Sequence, residues 1–260
     1  MKTLLETVDD VLAARIRPSE ALATLRDIAA LPRILELIRR DPERLTLSAS
    51  ASYRHRNGFD KIVLASPMAS RQKLVLHLWQ PSAAAEAADL DHIHNHRWDF
   101  ASVVLQGRLH LELYKKDIDG DIYTQFRYRK SPGTRHSRSL QDARRYQLEP
   151  CGTMPVSAQA TAILTVGSTY TWSAELLHRA WAPPGATTAT LIVQGPPIRK
   201  QTSVLVENGS LATRGALAPR LRSLRVGDID QRLALLARQP WRRFGIQIPA
   251  GTEPMPFSAH

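Results

Sequence analysis

The stretch "DHIHNHRWDFASVVLQG", residues 91–107, decides how the chain is read. It sets His92, His94 and His96 at alternating positions in a sequence with nine histidines in all, and follows them with Trp98, Asp99 and Phe100. In a strand, residues i and i+2 project from one face, so the three imidazoles share a side and Asn95, Arg97 and Asp99 take the other. Neighbouring members stand about 6.6 Å apart along the strand and can converge on one ion. The outer pair is separated by about 13 Å, too far for both rings to form bonds near 2.1 Å unless the backbone bends. A flat strand therefore supplies two ligands, His94 belongs to either pair, and a further ligand comes from elsewhere.

A second stretch, "GSTYTWSAELLHRAW" (167–181), has Gly167 at a strand end and His178 opening another apolar run. Together the two stretches resemble the cupin superfamily. Its first motif is a glycine-flanked H-x-H, then a glutamate, then a glycine at the next strand boundary; its second is a glycine, a turn and a single histidine. The resemblance spans residues 90–195 and implies a double-stranded β-helix, a jelly-roll barrel, with a metal held by His94, His96 and His178. The register rests on Gly107, whose family spacing from the second histidine lands on His96. The glutamate position is then Phe100, so the chain looks like the three-histidine cupins, such as the cysteine and other thiol dioxygenases, in which that carboxylate is lost. A second register stays open: it pairs His92 with His94 and uses Asp99 as the carboxylate, but misplaces Gly107 by one. In the first register His92 lies at the pocket rim or behind the ligands.

The resemblance implies a metal-dependent oxidoreductase, a non-haem Fe(II) oxygenase that takes a small-molecule substrate, a polar metabolite, together with O2. Neutral imidazoles without a thiolate also suit Zn, Ni, Cu or Mn. Three protein ligands leave coordination positions open for substrate and O2, or for an activated water. A non-oxidative metal-dependent cupin (isomerase, lyase or hydrolase) and a non-catalytic ligand-binding cupin are the alternatives. Trp98 and Phe100, with Val104, form an apolar wall that keeps water from a reactive intermediate, and Tyr170 is a candidate pocket hydrogen-bond donor. Arg97 and Arg179 flank the ligands and fall, by parity, on the outer face. His77 and His110 read as satisfied or surface histidines. The 2-oxoglutarate oxygenase signature, H-x-[DE] with a distant His and Arg, is not matched, because "HRWD" has the wrong spacing.

Outward from this centre the chain divides into a helical extension over 1–42, a β-barrel over 43–206, and a helix with an irregular tail over 207–260. In the first part, Leu4, Leu5, Val8, Val11 and Leu12 recur at helical spacing, and Pro18 and Pro32 open two more helices. Such helices suit a cap or a dimerisation element. From residue 45 the period shortens: "LTLSASASYRH" alternates apolar and polar residues, and short β-type runs follow at near-regular spacing, as in a sandwich or barrel. Asp119-Gly120 signals a two-residue hairpin between two strands, and "LEPCGTMP" (148–155) reads as a turn. The acidic residues Asp117, Asp119 and Asp121 lack the spacing and terminal glutamate of an EF-hand. "GDIDQRLALLARQP" is a helix with Asp228 or Asp230 near its start.

Composition bounds the rest. With 43% apolar residues the chain is globular. The net charge of +11 reflects an arginine bias, and its densest stretch, 127–145, reads as a solvated loop rather than a nucleic-acid surface. Drawing an anionic substrate toward the site is a second use for it. No apolar run reaches the length of about 18 residues that a membrane helix needs, and the N-terminus lacks a small-residue cleavage site, so the expected location is cytoplasmic, with no membrane partner. The single cysteine, Cys151, excludes an intrachain disulfide and a multi-cysteine zinc site. A homodimer is compatible with the resemblance, through strand exchange or the N-terminal helices.

Overall fold

The computed structural model describes residues 2–27, 31–55, 57–81, 92–130, 146–207 and 222–238. Four helices come first: α1 (Leu4–Ala13), α2 (Pro18–Asp27), α3 (Leu31–Arg40) and α4 (Pro42–Ala51). Thr3 and Glu6 close a reciprocal capping box on α1. Asp41 caps α4, its carboxylate accepting from the amides of Glu43 and Arg44, with Pro42 in the first turn. That cap overturns the reading of "LTLSASA" as a strand. Leu45 and Ala49, one helical turn apart, are buried while Leu47 is exposed, so the apparent alternation there is one face of a helix.

Twelve strands follow: β1 (Tyr53–Arg54), β2 (Phe59–Ala65), β3 (Lys73–Trp79), β4 (Ile93–His94), β5 (Phe100–Gln106), β6 (Arg108–Lys130), β7 (Tyr146–Thr165), β8 (Thr169–Trp172), β9 (Leu177–Trp181), β10 (Thr188–Gln194), β11 (Ser203–Glu207) and β12 (Arg222–Ser223). The chain ends its described part in α5 (Val226–Ala237). A seven-stranded sheet runs β12-β1-β2-β3-β10-β5-β8 and a five-stranded one runs β11-β4-β9-β6-β7. Within them the eight strands β3 to β10 stand in the orders β3-β10-β5-β8 and β4-β9-β6-β7. Successive strands step from one sheet to the other except at β6–β7, which is the topology of a jelly roll. The mainly β double-stranded β-helix of cupin type, with helices at both ends, is thus what the strand order gives.

The seven-stranded sheet is covered on both faces. Its inward residues, among them Phe59, Val63, Val75, Phe100 and Ile192, join Leu109 and Leu111 of the opposite sheet in the barrel core. Its outward residues, among them Ile62, Leu76, Leu78, Val103 and Leu191, pack under α1 to α5 in a second core. Double burial explains why "KLVLHLW" and "TATLIVQ" are near-continuous apolar runs. On the outer face Asp60 of β2 is fully buried and its carboxylate accepts from Arg54 at 3.0 Å and from Arg232 of α5. The five-stranded sheet keeps one face to solvent, where Ile122 and Ile163 are exposed.

Two turn expectations become bulges. Both halves of β6 pair with β7, and residues 117–120 are looped out opposite Val156, so Asp119-Gly120 interrupts one long strand instead of joining two. Gly120 is required there because a Cβ would lie 2.5 Å from the Val156 backbone. Cys151 and Gly152 likewise sit inside β7, opposite a register shift between Gln125 and Phe126. The helix expected at "GDIDQRLALLARQP" is present, with Asp228 accepting from the Arg225 amide at 2.9 Å. The expectations for 82–88, for 131–145 within the basic stretch, and for the tail from 239 onward lie outside the described residues. Among the described residues no helix is long and apolar enough to cross a membrane.

Candidate metal centre

The site is assembled on the five-stranded sheet. His94 of β4 is the direct cross-strand partner of His178 on β9, so register alone brings two imidazoles from distant parts of the chain side by side. The strand ends there. Asn95 leaves it and anchors the chain to β11, its side-chain oxygen accepting from the Ser203 amide at 2.7 Å. The next residue, His96, donates its amide to the Ala174 carbonyl and swings its ring against His178, with the two Nε2 atoms 3.2 Å apart. The ring centroids of the three histidines lie 5.1, 4.6 and 5.0 Å from one another. One ring nitrogen from each falls within 4.8 Å of the others.

The outer nitrogens fix the tautomers. His94 Nδ1 lies 2.9 Å from the carbonyl oxygen of His92, and His178 Nδ1 lies 3.0 Å from that of Leu176. A carbonyl only accepts, so both rings donate through Nδ1 and turn an Nε2 lone pair inward, the orientation that a metal-ligating histidine takes. Burial, then the neighbouring imidazoles, holds His96 and His178 well below the ordinary imidazole range, so both are neutral and can ligate. Two nitrogens bonded at about 2.1 Å to one ion stand about 3.0–3.4 Å apart for angles between square and tetrahedral. The 3.2 Å spacing of His96 and His178 fits that range, and the cluster suits a divalent metal.

Neither alternative ligand joins the cluster. The Asp99 carboxylate accepts from the Ala174 amide at 2.7 Å and so clamps the turn before β9, while His92 contributes its backbone carbonyl to orient His94. Trp172 packs 4.1 Å from His178, Phe100 stands edge-on to His96 at 5.1 Å and Trp98 stacks on His96 at 5.7 Å. Tyr170 lies 6.1 Å from Phe100, and burial pushes its phenol up to about 12, which keeps the hydroxyl a donor. Arg179 is held by Glu112 and stands over Trp181. Arg97 does not follow strand parity, because β4 has ended, and its guanidinium lies over Trp98 at 5.6 Å. His110 stacks on Trp181 and His77 on Phe59. Two residues of the site went unread in the sequence. Trp172 shares its strand with Tyr170, two positions away. Lys61 of β2 stands between the inward-facing Phe59 and Val63, and that parity was the available signal.

No protein-family model matches the sequence, and no curated protein sequence matches it. Among solved structures it is similar to an RmlC-like cupin from Shewanella frigidimarina NCIMB 400, with 14% identity, 58% of this chain and 86% of that chain covered, and a TM-score of 0.31. A hydroquinone 1,2-dioxygenase from Sphingomonas sp. TTNP3, with 4-hydroxybenzoate bound, matches at 10% identity over 54% of this chain and 67% of its own, with a TM-score of 0.30. A DMSP lyase matches at 15% identity over 53% of this chain, with a TM-score of 0.29, and the match spans only 47% of the lyase. At such scores these likenesses carry no functional argument. Strand order and the histidine cluster stand on their own: a jelly roll with three converging histidines.

Proposed function

We propose that the protein is a metal-dependent enzyme, a non-haem Fe(II) oxygenase acting with O2 on a small polar metabolite, its ion held by His94, His96 and His178. The observation that carries this reading is the convergence of three ring nitrogens with no carboxylate among them. An all-imidazole set leaves the ion its full positive charge, which favours an anionic, chelating substrate. When bound, iron supplies open coordination positions for substrate and O2. The chain's own residues do the remaining work. His92 and Leu176 offer the carbonyls that orient two of the rings. Phe100, Trp98 and Trp172 exclude bulk water from the open side. Tyr170 keeps its proton and offers it as a hydrogen bond from Oη.

Protein purified without oxygen and assayed for metal tests the proposal. One iron per chain with substrate-dependent O2 uptake is the expected result. Zinc or nickel without O2 uptake would point to the non-oxidative alternative, and no stoichiometric metal would overturn metal catalysis altogether.

A further inference from the structure

The inward face of the seven-stranded sheet carries cations with no carboxylate partner among the described residues. Lys61 of β2 has one polar side-chain contact, Nζ donating to Gln194 Oε1 at 3.2 Å. Its ammonium lies 5.2 Å from the Trp98 ring centre and 6.0 Å from that of Tyr53. Gln194 pairs across the sheet with Lys73 on one side and Phe100 on the other, so Lys61, Lys73 and Gln194 meet at the level of Phe100, which touches His96. The charges acting on Lys61 are Lys73 and Arg97, and those acting on Lys73 are Arg97 and Arg71; no carboxylate is among them. The carboxylates adjacent in sequence are committed elsewhere: Asp99 to the Ala174 amide, and Asp60, on the other face of β2, to Arg54 and Arg232. Elsewhere the chain pairs its buried charges, as Asp60 with Arg54 and Arg232 shows. Like charges gathered in a desolvated place without a partner are costly, and a site for an anion is the ordinary reason to keep them.

We propose that Lys61, Lys73 and Arg97, with the Gln194 amide, form a subsite for an oxyanion (a carboxylate, sulfate or phosphate group) on the substrate, one aromatic ring away from the histidine cluster. This rests on the reading of that cluster as the reaction centre and narrows its substrate to anionic small molecules. Trp98 links the two halves, since His96 stacks on it and Lys61 stands over it. A molecule fixed by its anionic end at Lys61 presents its other end to the open side of the three imidazoles. Lys61 is desolvated and repelled to a pKa of about 7, so an arriving anion relieves both effects and draws a proton onto it.

The test is calorimetric titration of the full-length protein with sulfate and, separately, with acetate. The chains compared are wild type, Lys61→Met, Lys73→Met and His94→Ala/His178→Ala. Binding by wild type is expected to weaken at least tenfold in Lys61→Met and to survive in the double histidine variant, which isolates the subsite from the metal. Lys61→Met is expected to melt at or above the wild-type temperature, because it removes a half-buried charge that burial and neighbouring cations disfavour. A folded Lys61→Met that binds either anion like wild type would overturn the proposal. So would wild-type protein that binds neither anion. Loss of metal in the histidine variant with sulfate binding intact leaves the subsite standing whatever becomes of the oxygenase reading. Should Lys61→Met not fold, Lys73→Met and the 13Cε resonance of Lys61 in wild type decide: no shift of that resonance with sulfate overturns the proposal.

Discussion

The two sheets of the barrel do different work. The five-stranded sheet has one wet face and supplies the three imidazoles, on β4, just past its end, and on β9. The seven-stranded sheet is covered on both faces over its central strands, backed by the five described helices, and supplies Lys61, Lys73 and Gln194. Imidazoles thus stand on one side and cations on the other, with the Trp98 ring between His96 and Lys61. A single buried helical layer stiffens the cationic side, whereas the histidine side is fixed by backbone contacts: Asn95 to β11, His96 and Asp99 to Ala174. Stability should therefore be concentrated in one sheet and metal chemistry in the other.

The largest effect is expected on the histidine side. His178→Ala removes stoichiometric metal and lowers turnover at least about a hundredfold, the scale at which even the partners of metal ligands matter. Its melting temperature without metal stays near that of wild type, which metal analysis beside calorimetry checks. Leu76→Ala, at a fully buried position under the helices, costs about 3 kcal/mol in denaturant unfolding, while metal stoichiometry in the folded fraction is unchanged. If the histidine change unfolded the barrel and the leucine change did not, the division of labour would be wrong.

Acidification acts on the two sheets in different pH windows. Burial holds His96 and His178 well below the ordinary imidazole value of 6.5, so below that pH the unfolded chain binds protons that the folded chain refuses. Stability and metal content should both fall as the pH drops through 6.5. Lys61 is lowered from 10.5 to about 7, so its penalty is full below pH 7 and vanishes as the pH approaches 10.5. Lys61→Met should accordingly raise Tm by about 2–4 °C at pH 6 and leave it unchanged near pH 10. The smallest effect is on the wet face: Ile163→Thr, at a position 59% exposed, changes stability by less than about 0.5 kcal/mol.

Much of this was legible in the residues. The H-x-H spacing, Gly107 and His178 located the cluster, because a strand's period of two makes sharing a face a matter of counting. The choice of His96 over Asp99 depended on the chain leaving the strand after His94 so that Asn95 could bond to Ser203, a long-range contact that no local pattern carries. "LTLSASA" misled because a short helix with one buried stripe and small polar residues between mimics alternation. Gly120 and Gly152 marked irregular backbone correctly, but a bulge within a strand and a turn between strands use the same residue types. Lys61 was passed over because lysine in a short strand is ordinarily solvated. Its parity with Phe59 and Val63 was the signal, and it becomes decisive only once the sheet shows that face to be the inside of a barrel.

The buried Asp60 ties β2 to Arg232 on α5, and β12 completes the sheet beside β1. Arg54 and Arg232, far apart in sequence, are therefore neighbours across a single carboxylate, one position from Lys61. During synthesis the first strands must wait, edge open, until β12 and α5 have emerged, and folding should be slow, as it is wherever distant segments must meet. The edge of the cation-bearing sheet is consequently the last piece to be set in place, and a product truncated before β12 would carry an unfinished sheet.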